Sequence, residues 1–354
     1  MGKRINVVFI IPSLRAGGAE RVMSYISMHL NKEEFASQLL VIGSKEDQAY
    51  EIKGIPVKFL NKRRVRDGVF DIAKFLNVNK IDIAVSAMSH VNTVMAFLGI
   101  FFRKTKFVGR ETIVKSQRHN YQGHEKKRTW HTKLLSKYLD KIICQSDDMK
   151  IDMIKNYDYP SDKIVVINNP VRNEFKLKMS RSNKKKELIT IGRLSKQKGY
   201  LRILEALRHV SIPYHYTIIG EGKERESIQQ YIKDNKMENS ISHIPFSNKI
   251  AEYLSNSDLY LQGSYVEGFP NALLESCAVG TPAVVFKALG GINEILVEGV
   301  NGYIANDADD FLKKLNIAFQ TEWDASIVRD SVVSKYSQEI ILQNYEKLFK
   351  ELAE

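Results

Sequence analysis

The chain has 354 residues, 44% hydrophobic and 27% charged, with 8 prolines and no low-complexity tract, which excludes a disordered or fibrous protein and suits two domains of ordinary size. Its two cysteines, Cys144 and Cys277, lie in apolar stretches without metal-ligand spacing, so neither a disulfide scaffold nor a zinc site is in view. The net charge of +12 is carried by one half: residues 1–170 hold 29 Lys and Arg against 17 Asp and Glu, whereas residues 171–354 hold 24 of each.

The first strand candidate runs from Arg4 to Ile11; Pro12 and Arg15 cut the apolar run short, and no small-residue cleavage site follows, so it does not read as a signal peptide. The loop Gly17-Gly18-Ala19-Glu20-Arg21 then opens a helix in which Val22, Tyr25, Ile26, His29 and Leu30 recur at helical spacing. Further strands are expected at Ser37 to Ile42, Val57 to Leu60, Ile81 to Ala87, Lys106 to Gly109, Lys141 to Gln145 and Lys163 to Ile167. The stretch Ile83 to Phe102 has the length of a membrane span and no Asp, Glu, Lys or Arg, yet Ser86, Ser89, His90, Asn92 and Thr93 occupy its middle. It reads better as a buried strand, a polar turn and a core helix from Val91 to Phe102. Strands alternating with helices imply βαβ units and a parallel sheet covered on both faces.

Basic clusters mark this half at Lys62-Arg63-Arg64-Val65-Arg66, at Arg103-Lys104-Thr105-Lys106, and from Lys115 to Lys137. Charge so unevenly placed points to an anionic surface facing one domain, either membrane lipid or nucleic acid. Within the last cluster, Lys126 to Tyr138 carries Trp130, Leu134, Leu135 and Tyr138 among cations. That pattern suits an interfacial helix and, equally, a stripe facing the domain core.

Asn168-Asn169-Pro170 ends the first alternation, and the Lys-rich stretch from Lys176 to Lys186 precedes a fresh strand, Leu188 to Ile191. Strands at Thr217 to Ile219, Ile241 to Ile244, Leu259 to Leu261 and Ala283 to Phe286 follow. Helices at Tyr200 to Val210, Lys223 to Lys233, Asn271 to Val279 and Ala308 to Phe319 lie between or after them. The expected division is an N-terminal domain over 1–170, a second Rossmann-like domain over 171–335, and a C-terminal segment, 336–354. The helix in that segment, Gln338 to Ala353, is a candidate to return to the first domain. The fold class is α/β, with two parallel sheets whose carboxyl ends line a cleft.

Four strand-to-helix junctions of the second half carry polar or glycine signals. Ile191-Gly192-Arg193-Leu194 leads to Lys198-Gly199, a planar donor and a point charge suited to a diphosphate. Ile219-Gly220-Glu221-Gly222 follows the next strand. In Glu267-Gly268-Phe269-Pro270-Asn271-Ala272-Leu273-Leu274-Glu275, the first carboxylate lies in the loop and the second in the helix. Pro270 and Asn271 between them set a helix N-terminus that favours phosphate. Gly290-Gly291-Ile292-Asn293-Glu294 is the fourth. Singly, each is more economically a surface lysine, a helix glutamate or a plain turn. Together they sit at the ends of successive strands of one sheet.

The order Gly-Arg…Lys-Gly, Gly-Glu-Gly, Glu-x7-Glu and Gly-Gly-x-x-Glu, with the first glycine loop, resembles glycosyltransferase family 4, retaining enzymes of the GT-B fold. The resemblance covers nearly the whole chain and is strongest between Gly192 and Gly302. It implies that Arg193 and Lys198 neutralise the diphosphate of a nucleotide sugar. It implies that Glu267 holds hydroxyls of the transferred sugar, beside backbone N–H groups from Phe269 to Ala272, and that Glu275 holds the ribose. Gly17 or Gly18 would close onto the phosphates, and Gly220 and Glu221 belong to the same donor site. Two cations and a helix N-terminus aimed at the leaving diphosphate stabilise charge where it develops, so no metal or other cofactor is expected. Asp307-Ala308-Asp309, beside Asp310, reads as a helix N-cap. Retention without an evident nucleophile fits attack on the same face assisted by the leaving group, with Glu267 positioning the sugar.

The sequence departs from the family after the strand Lys106 to Gly109. Many members carry a His there, whereas this chain continues Arg110-Glu111-Thr112 and has no His until His119. Arg110, Glu111 and His90 are the acceptor-side candidates; an Arg110–Glu111 ion pair and a helix-capping His90 are the plainer readings of the same residues.

The leading reading is transfer of a hexose or N-acetylhexosamine, UDP-linked, to a glycan acceptor, in particular a polyprenyl-diphosphate-linked one. The reaction would take place in the cytoplasm on the inner face of the plasma membrane. The resemblance implies cell-surface polysaccharide synthesis, such as capsule. Each cation near an anionic bilayer contributes roughly 1 kcal/mol, so a handful docks the protein reversibly. A nucleic-acid-binding protein is suggested by charge alone, without zinc spacing, helix-turn-helix or RNA-recognition aromatics. A nucleotide-sugar epimerase and a glycogen-type phosphorylase would share the fold; size and the lack of a pyridoxal-lysine context speak against the phosphorylase.

Overall fold

The computed structural model describes residues 3–15, 17–49, 51–117, 137–179 and 185–354. His119 and most of the stretch Lys126 to Tyr138 lie outside them, as does the middle of Lys176 to Lys186. Of the described residues, those within 3–116, 137–169 and 339–354 form one compact unit, and Gln117 with those within 170–338 the other.

The first unit is built on seven parallel strands: β1 (Ile5–Ile11), β2 (Phe35–Val41), β3 (Val57–Phe59), β4 (Ile83–Ala87), β5 (Lys106–Arg110), β6 (Lys141–Cys144) and β7 (Ile164–Val166). Their order across the sheet is β3-β2-β1-β4-β5-β6-β7. Parallel neighbours need crossovers, and α1 (Gly18–His29), α2 (Val69–Asn79), α3 (Ser89–Leu98) and α4 (Asp147–Tyr157) supply them. Val7 to Ile11 are wholly buried, which is why β1 is an unbroken apolar run and not an alternating one. The polar residues inside Ile83 to Phe102 mark the β4–α3 junction. The helix begins at Ser89, two residues earlier than expected, because Met88 takes a left-handed conformation (φ 78°) that turns the chain sharply. Among the described residues no helix is long and apolar enough to cross a membrane.

The second unit holds β8 (Lys186–Ile191), β9 (Tyr214–Ile219), β10 (Ile241–Ile244), β11 (Leu259–Gln262), β12 (Ala283–Phe286) and β13 (Gly302–Ala305), all parallel, in the order β10-β9-β8-β11-β12-β13. Its helices are α5 (Tyr200–Leu207), α6 (Arg225–Asp234), α7 (Ile250–Ser255), α8 (Asn271–Ala278), α9 (Ile292–Ile295), α10 (Ala308–Gln320) and α11 (Ala325–Tyr336). Of these, β13, α7 and α11 have no counterpart among the elements expected from sequence. The strand has four residues and the helix α7 six, too short for a periodicity to register. Helix α11 is rich in Ser and Val, weak helix formers, and holds its place through buried Val328, Val332 and Tyr336. Asp307 caps α10 by accepting from the Asp310 N–H, as its motif suggests.

The chain returns to the first unit with α12 (Gln338–Ala353), whose Ile341, Tyr345, Leu348 and Phe349 join the core of β1, β2 and α1. The Phe349 ring meets Phe9 and Phe35 edge to face, with centroids 6.1 and 6.2 Å apart.

In each sheet the strand order reverses once beside the first strand of the unit, between β1 and β4 and between β8 and β11. At such a switch point the crossovers leave to opposite faces and open a crevice at the carboxyl ends of the strands.

Candidate active site

The second unit's switch point is where the sequence signals converge. Leaving β8, the chain passes Arg193, a single 310 turn over Lys196–Lys198 and Gly199 before α5; leaving β11, it passes Gly263 to Pro270 before α8. These loops touch through their backbones. Gly199 is left-handed (φ 59°), and a Cβ there would stand 1.9 Å from the Gly263 carbonyl oxygen. On the other side Gly290 (φ 111°), in the loop after β12, approaches so that a Cβ would be 2.1 Å from the Glu267 carbonyl oxygen. The Glu267 N–H donates to the Leu289 carbonyl at 2.9 Å, and the Tyr265 N–H to that of Gln197 at 2.9 Å. Glycine at these places is what lets three loops share one small volume.

Arg202, on α5, holds the middle loop from behind. Its guanidinium lies 4.0 Å from the ring centroids of both Tyr265 and Phe286 and donates to the Gly263 and Ser264 carbonyls at 2.6 and 2.5 Å. Such a planar fork between aromatic faces fixes direction as well as charge.

Held in this frame, the Glu267 carboxylate is nearly buried, and its Oε1 accepts from Lys198 Nζ at 2.6 Å and from Ser264 Oγ at 2.5 Å. Its Oε2 carries no hydrogen bond among the described residues, so the anchored group presents one acceptor oxygen. Lys198, expected on a diphosphate, is here the partner of Glu267; its ammonium has further donors to offer. Arg193 is exposed and makes no hydrogen bond or ion pair among the described residues. Tyr200 donates its hydroxyl to the Gly192 carbonyl at 2.8 Å, and burial pushes its phenol up, so it stays a neutral donor that shapes the β8 loop.

Pro270 precedes α8, and no side chain caps that helix. The first intrahelical bond runs from the Leu274 N–H to the Pro270 carbonyl at 3.1 Å, so the N–H groups of Ala272 and Leu273 come before any helical partner. Phe269 is buried against Tyr336, centroids 5.2 Å apart, and fixes the entry to the helix. Asn271 opens α8, and Glu275 is buried on the same helix, where Oε1 receives Arg172 Nε at 3.3 Å and Nη2 at 3.2 Å. Arg172 in turn lies over the Phe175 ring at 4.5 Å. Sequence reading misses Arg172 and Arg202, single arginines with no motif around them. Gly220 and Glu221 follow β9; the Glu221 carbonyl accepts from the Leu194 N–H at 2.9 Å, tying this loop to that of β8, while its side chain pairs with Arg225 at 3.0 Å.

In the first unit Gly17 caps α1 in ordinary extended conformation and Gly18 is the first helical residue. The ion pair that is the plainer reading of Arg110 and Glu111 does not form: Arg110 ends β5, Glu111 follows it in the loop, and each takes other partners. Arg110 is fully buried and donates from Nη2 to Asn169. Glu111 is buried with Lys115 Nζ at 2.7 Å, Ser89 Oγ at 2.8 Å and Asn92 Nδ2 at 3.0 Å. Burial alone would raise the Glu111 carboxyl; the Lys115 ammonium and the two hydrogen bonds outweigh it and hold it below the ordinary range. The spacing of Glu111 and Lys115, four residues, is the available sequence signal for this pair. His90 stands elsewhere, at the start of α3, on a pocket it shares with the cluster Lys62 to Arg66.

The family described as Glycosyl transferases group 1 matches residues 171–329, and Glycosyltransferase Family 4 matches residues 16–175. An uncharacterized glycosyltransferase of Haemophilus influenzae is 23% identical over 87% of this chain and 88% of its own length. The N-acetylgalactosamine-N,N'-diacetylbacillosaminyl-diphospho-undecaprenol 4-alpha-N-acetylgalactosaminyltransferase of Campylobacter jejuni is 24% identical over 80% of this chain and 81% of its own. Among solved structures, Anabaena HepE in complex with UDP-glucose superimposes with a TM-score of 0.84 over 98% of this chain and 100% of that one, at 18% identity, a likeness of fold.

Proposed function

The chain belongs to glycosyltransferase family 4, with the GT-B fold, and from that premise we propose that it moves a hexose or N-acetylhexosamine from a UDP-linked donor to a glycan carried on a lipid diphosphate, retaining the anomeric configuration. The observation that carries the reading is the anchored Glu267. One oxygen is fixed by Lys198 and Ser264, and the other is left to accept from a sugar hydroxyl beside an uncapped helix N-terminus. As the glycosidic bond breaks, the sugar becomes cation-like and the departing diphosphate gains charge. The N–H groups opening α8, with Arg193 and Lys198, supply fixed donors for that charge, so we assign no metal to the step. Glu275, oriented by Arg172, is assigned to the ribose hydroxyls.

The acceptor class draws on the relative from Campylobacter jejuni, whose name specifies a diphospho-undecaprenol acceptor, and on the excess of cations in the first half of this chain. Phe70 and Phe101, 88% and 66% exposed on a unit so rich in Lys and Arg, support the reading that the protein rests on an anionic bilayer.

The test is a screen of UDP- and GDP-sugars by thermal stabilisation, with transfer to a lipid-linked acceptor measured with and without a chelator. Stabilisation by UDP-sugars and chelator-resistant transfer are expected; a protein that no nucleotide sugar or nucleoside diphosphate stabilises would end the reading. Glu267→Ala should keep UDP binding while losing transfer. Arg193→Ala removes a charge-assisted contact worth about 1.5–3 kcal/mol, and so should weaken UDP roughly 10- to 100-fold.

A further inference from the structure

The first unit has its own switch point, between β1 and β4, and a pocket of about 460 Å³ lies there. Pro12, just after β1, and Ile42, just after β2, line it, with His90 from the start of α3. The remaining wall is the loop after β3, which brings Lys62, Arg63, Arg64 and Arg66 onto one cavity. Its volume is that of a small-ligand site, which runs about 300–1,000 Å³.

The charge balance of this wall is uneven. Lys62 is paired with Asp71 at 3.1 Å, and Arg66 has a longer contact with Asp67 at 3.7 Å. Arg63 and Arg64 are exposed, and their guanidiniums make no hydrogen bond or ion pair among the described residues. Two guanidiniums lining one pocket without an acidic partner match a group with two negative charges and several planar-accessible oxygens, and phosphate esters are what arginine forks recognise best. Ile42 and Val94, which also line the pocket, suit the first carbons esterified to such a group.

We infer that this pocket binds the diphosphate of the lipid-linked acceptor, with Arg63 and Arg64 as its principal ligands and His90 beside them. The inference rests on the reading that the acceptor is a lipid diphosphate. It assigns acceptor recognition to the loop after β3, and not to the buried Arg110 and Glu111. It also distinguishes the pocket from a diffuse basic face: the same number of cations removed elsewhere on the unit should matter far less.

The experiment titrates farnesyl diphosphate into the full chain at saturating UDP, so that the donor's diphosphate site is occupied, and without vesicles. Wild type should bind, and the double substitution Arg63→Ala, Arg64→Ala should weaken binding by about tenfold or more. Arg103→Ala with Lys104→Ala removes two charges outside the pocket and should change affinity less than about twofold, since exposed charges are screened beyond a Debye length. Arg63→Lys with Arg64→Lys keeps the charge, loses the forks and should fall between; unchanged melting temperatures verify that all variants are folded. Equal losses in the two alanine pairs, or no binding by wild type, would overturn the inference. So would a pocket variant that binds farnesyl diphosphate normally but loses phosphatidylglycerol vesicles, since the site would then hold bilayer headgroups. UDP binding is read first in the same sample. A protein that binds UDP but not farnesyl diphosphate refutes the pocket alone, and one that binds farnesyl diphosphate through Arg63 and Arg64 but not UDP refutes the donor reading alone.

Discussion

Glu111 and Lys115 form a buried ion pair whose members perturb each other in the direction of charge. Burial opposes the Lys115 ammonium, but the Glu111 carboxylate outweighs that and raises its pKa, as Lys115 lowers that of Glu111. A depressed carboxyl contributes stability above its unfolded pKa of about 4.3 and loses it as pH falls through the folded value. A raised ammonium contributes below its unfolded pKa of about 10.4 and loses it as pH rises through the folded value. The pair is therefore at full strength across neutral pH and fails at both ends. Glu111→Gln leaves a buried ammonium without its partner and should cost about 3 kcal/mol at pH 7. In urea titrations the gap between variant and wild type should begin to narrow as pH falls through the unfolded carboxyl pKa of about 4.3 and go on narrowing below it, until the depressed Glu111 carboxyl protonates in the folded wild type too. A gap that stays constant from pH 7 to 3 would mean that Glu111 acts through its hydrogen bonds to Ser89 and Asn92 and not through charge.

Loops at the carboxyl ends of β8, β11 and β12 behave as one element, and their glycines test that. Gly199→Ala combines a left-handed backbone with a collision against the Gly263 carbonyl, each worth about 1–3 kcal/mol. A loss of about 3 kcal/mol should lower the melting temperature of a unit this size by roughly 6–12 °C. Gly299→Ala is the control: its φ of 75° is equally left-handed, but nothing lies within 4 Å, so it should cost about 1–2 kcal/mol and leave UDP affinity intact. If both variants fall equally, the close approach of the loops is not what the glycines serve. These loops are legible in the sequence because glycine and carboxylate signals recur at strand ends, where convergence follows from topology. Arg172 and Arg202 are not, since they reach Glu275 and the Gly263–Ser264 carbonyls across 103 and about 61 residues of chain and leave no local pattern. On the first unit the reverse holds. By sequence His90 is an acceptor-side candidate or a helix cap and Lys62 to Arg66 one of several basic clusters; only the order β3-β2-β1-β4 puts them on one pocket.

At the scale of the whole chain, the first unit is interrupted by the second and completed by the last helix. β1 begins at residue 5, yet its neighbour Phe349 is supplied almost at the other end of the sequence. Four side chains of α12, Ile341, Tyr345, Leu348 and Phe349, are buried there, at about 1.5–3 kcal/mol each roughly 6–12 kcal/mol in total. That is comparable with the entire stability of a domain, about 5–15 kcal/mol. The helix also meets the surface of the unit electrostatically: Lys350 pairs with Glu34 at 2.7 Å, and Glu346 accepts from the Asn31 N–H at 2.8 Å. A chain ended at Ser337 should therefore lose the first unit, while residues 170–337 keep their own core of α5, α8, α10 and α11 around the second sheet. Amide hydrogen exchange reads this directly. The amides of Val7 to Ile11 should lose their protection and those of Leu188 to Ile191 should keep it, because the two sheets draw on separate clusters of buried side chains. Full protection of β1 in the shortened chain would show that α1 and the sheet suffice without α12. Loss of protection in both sheets together would mean that the units unfold as one and that the division of the core is energetic only in appearance.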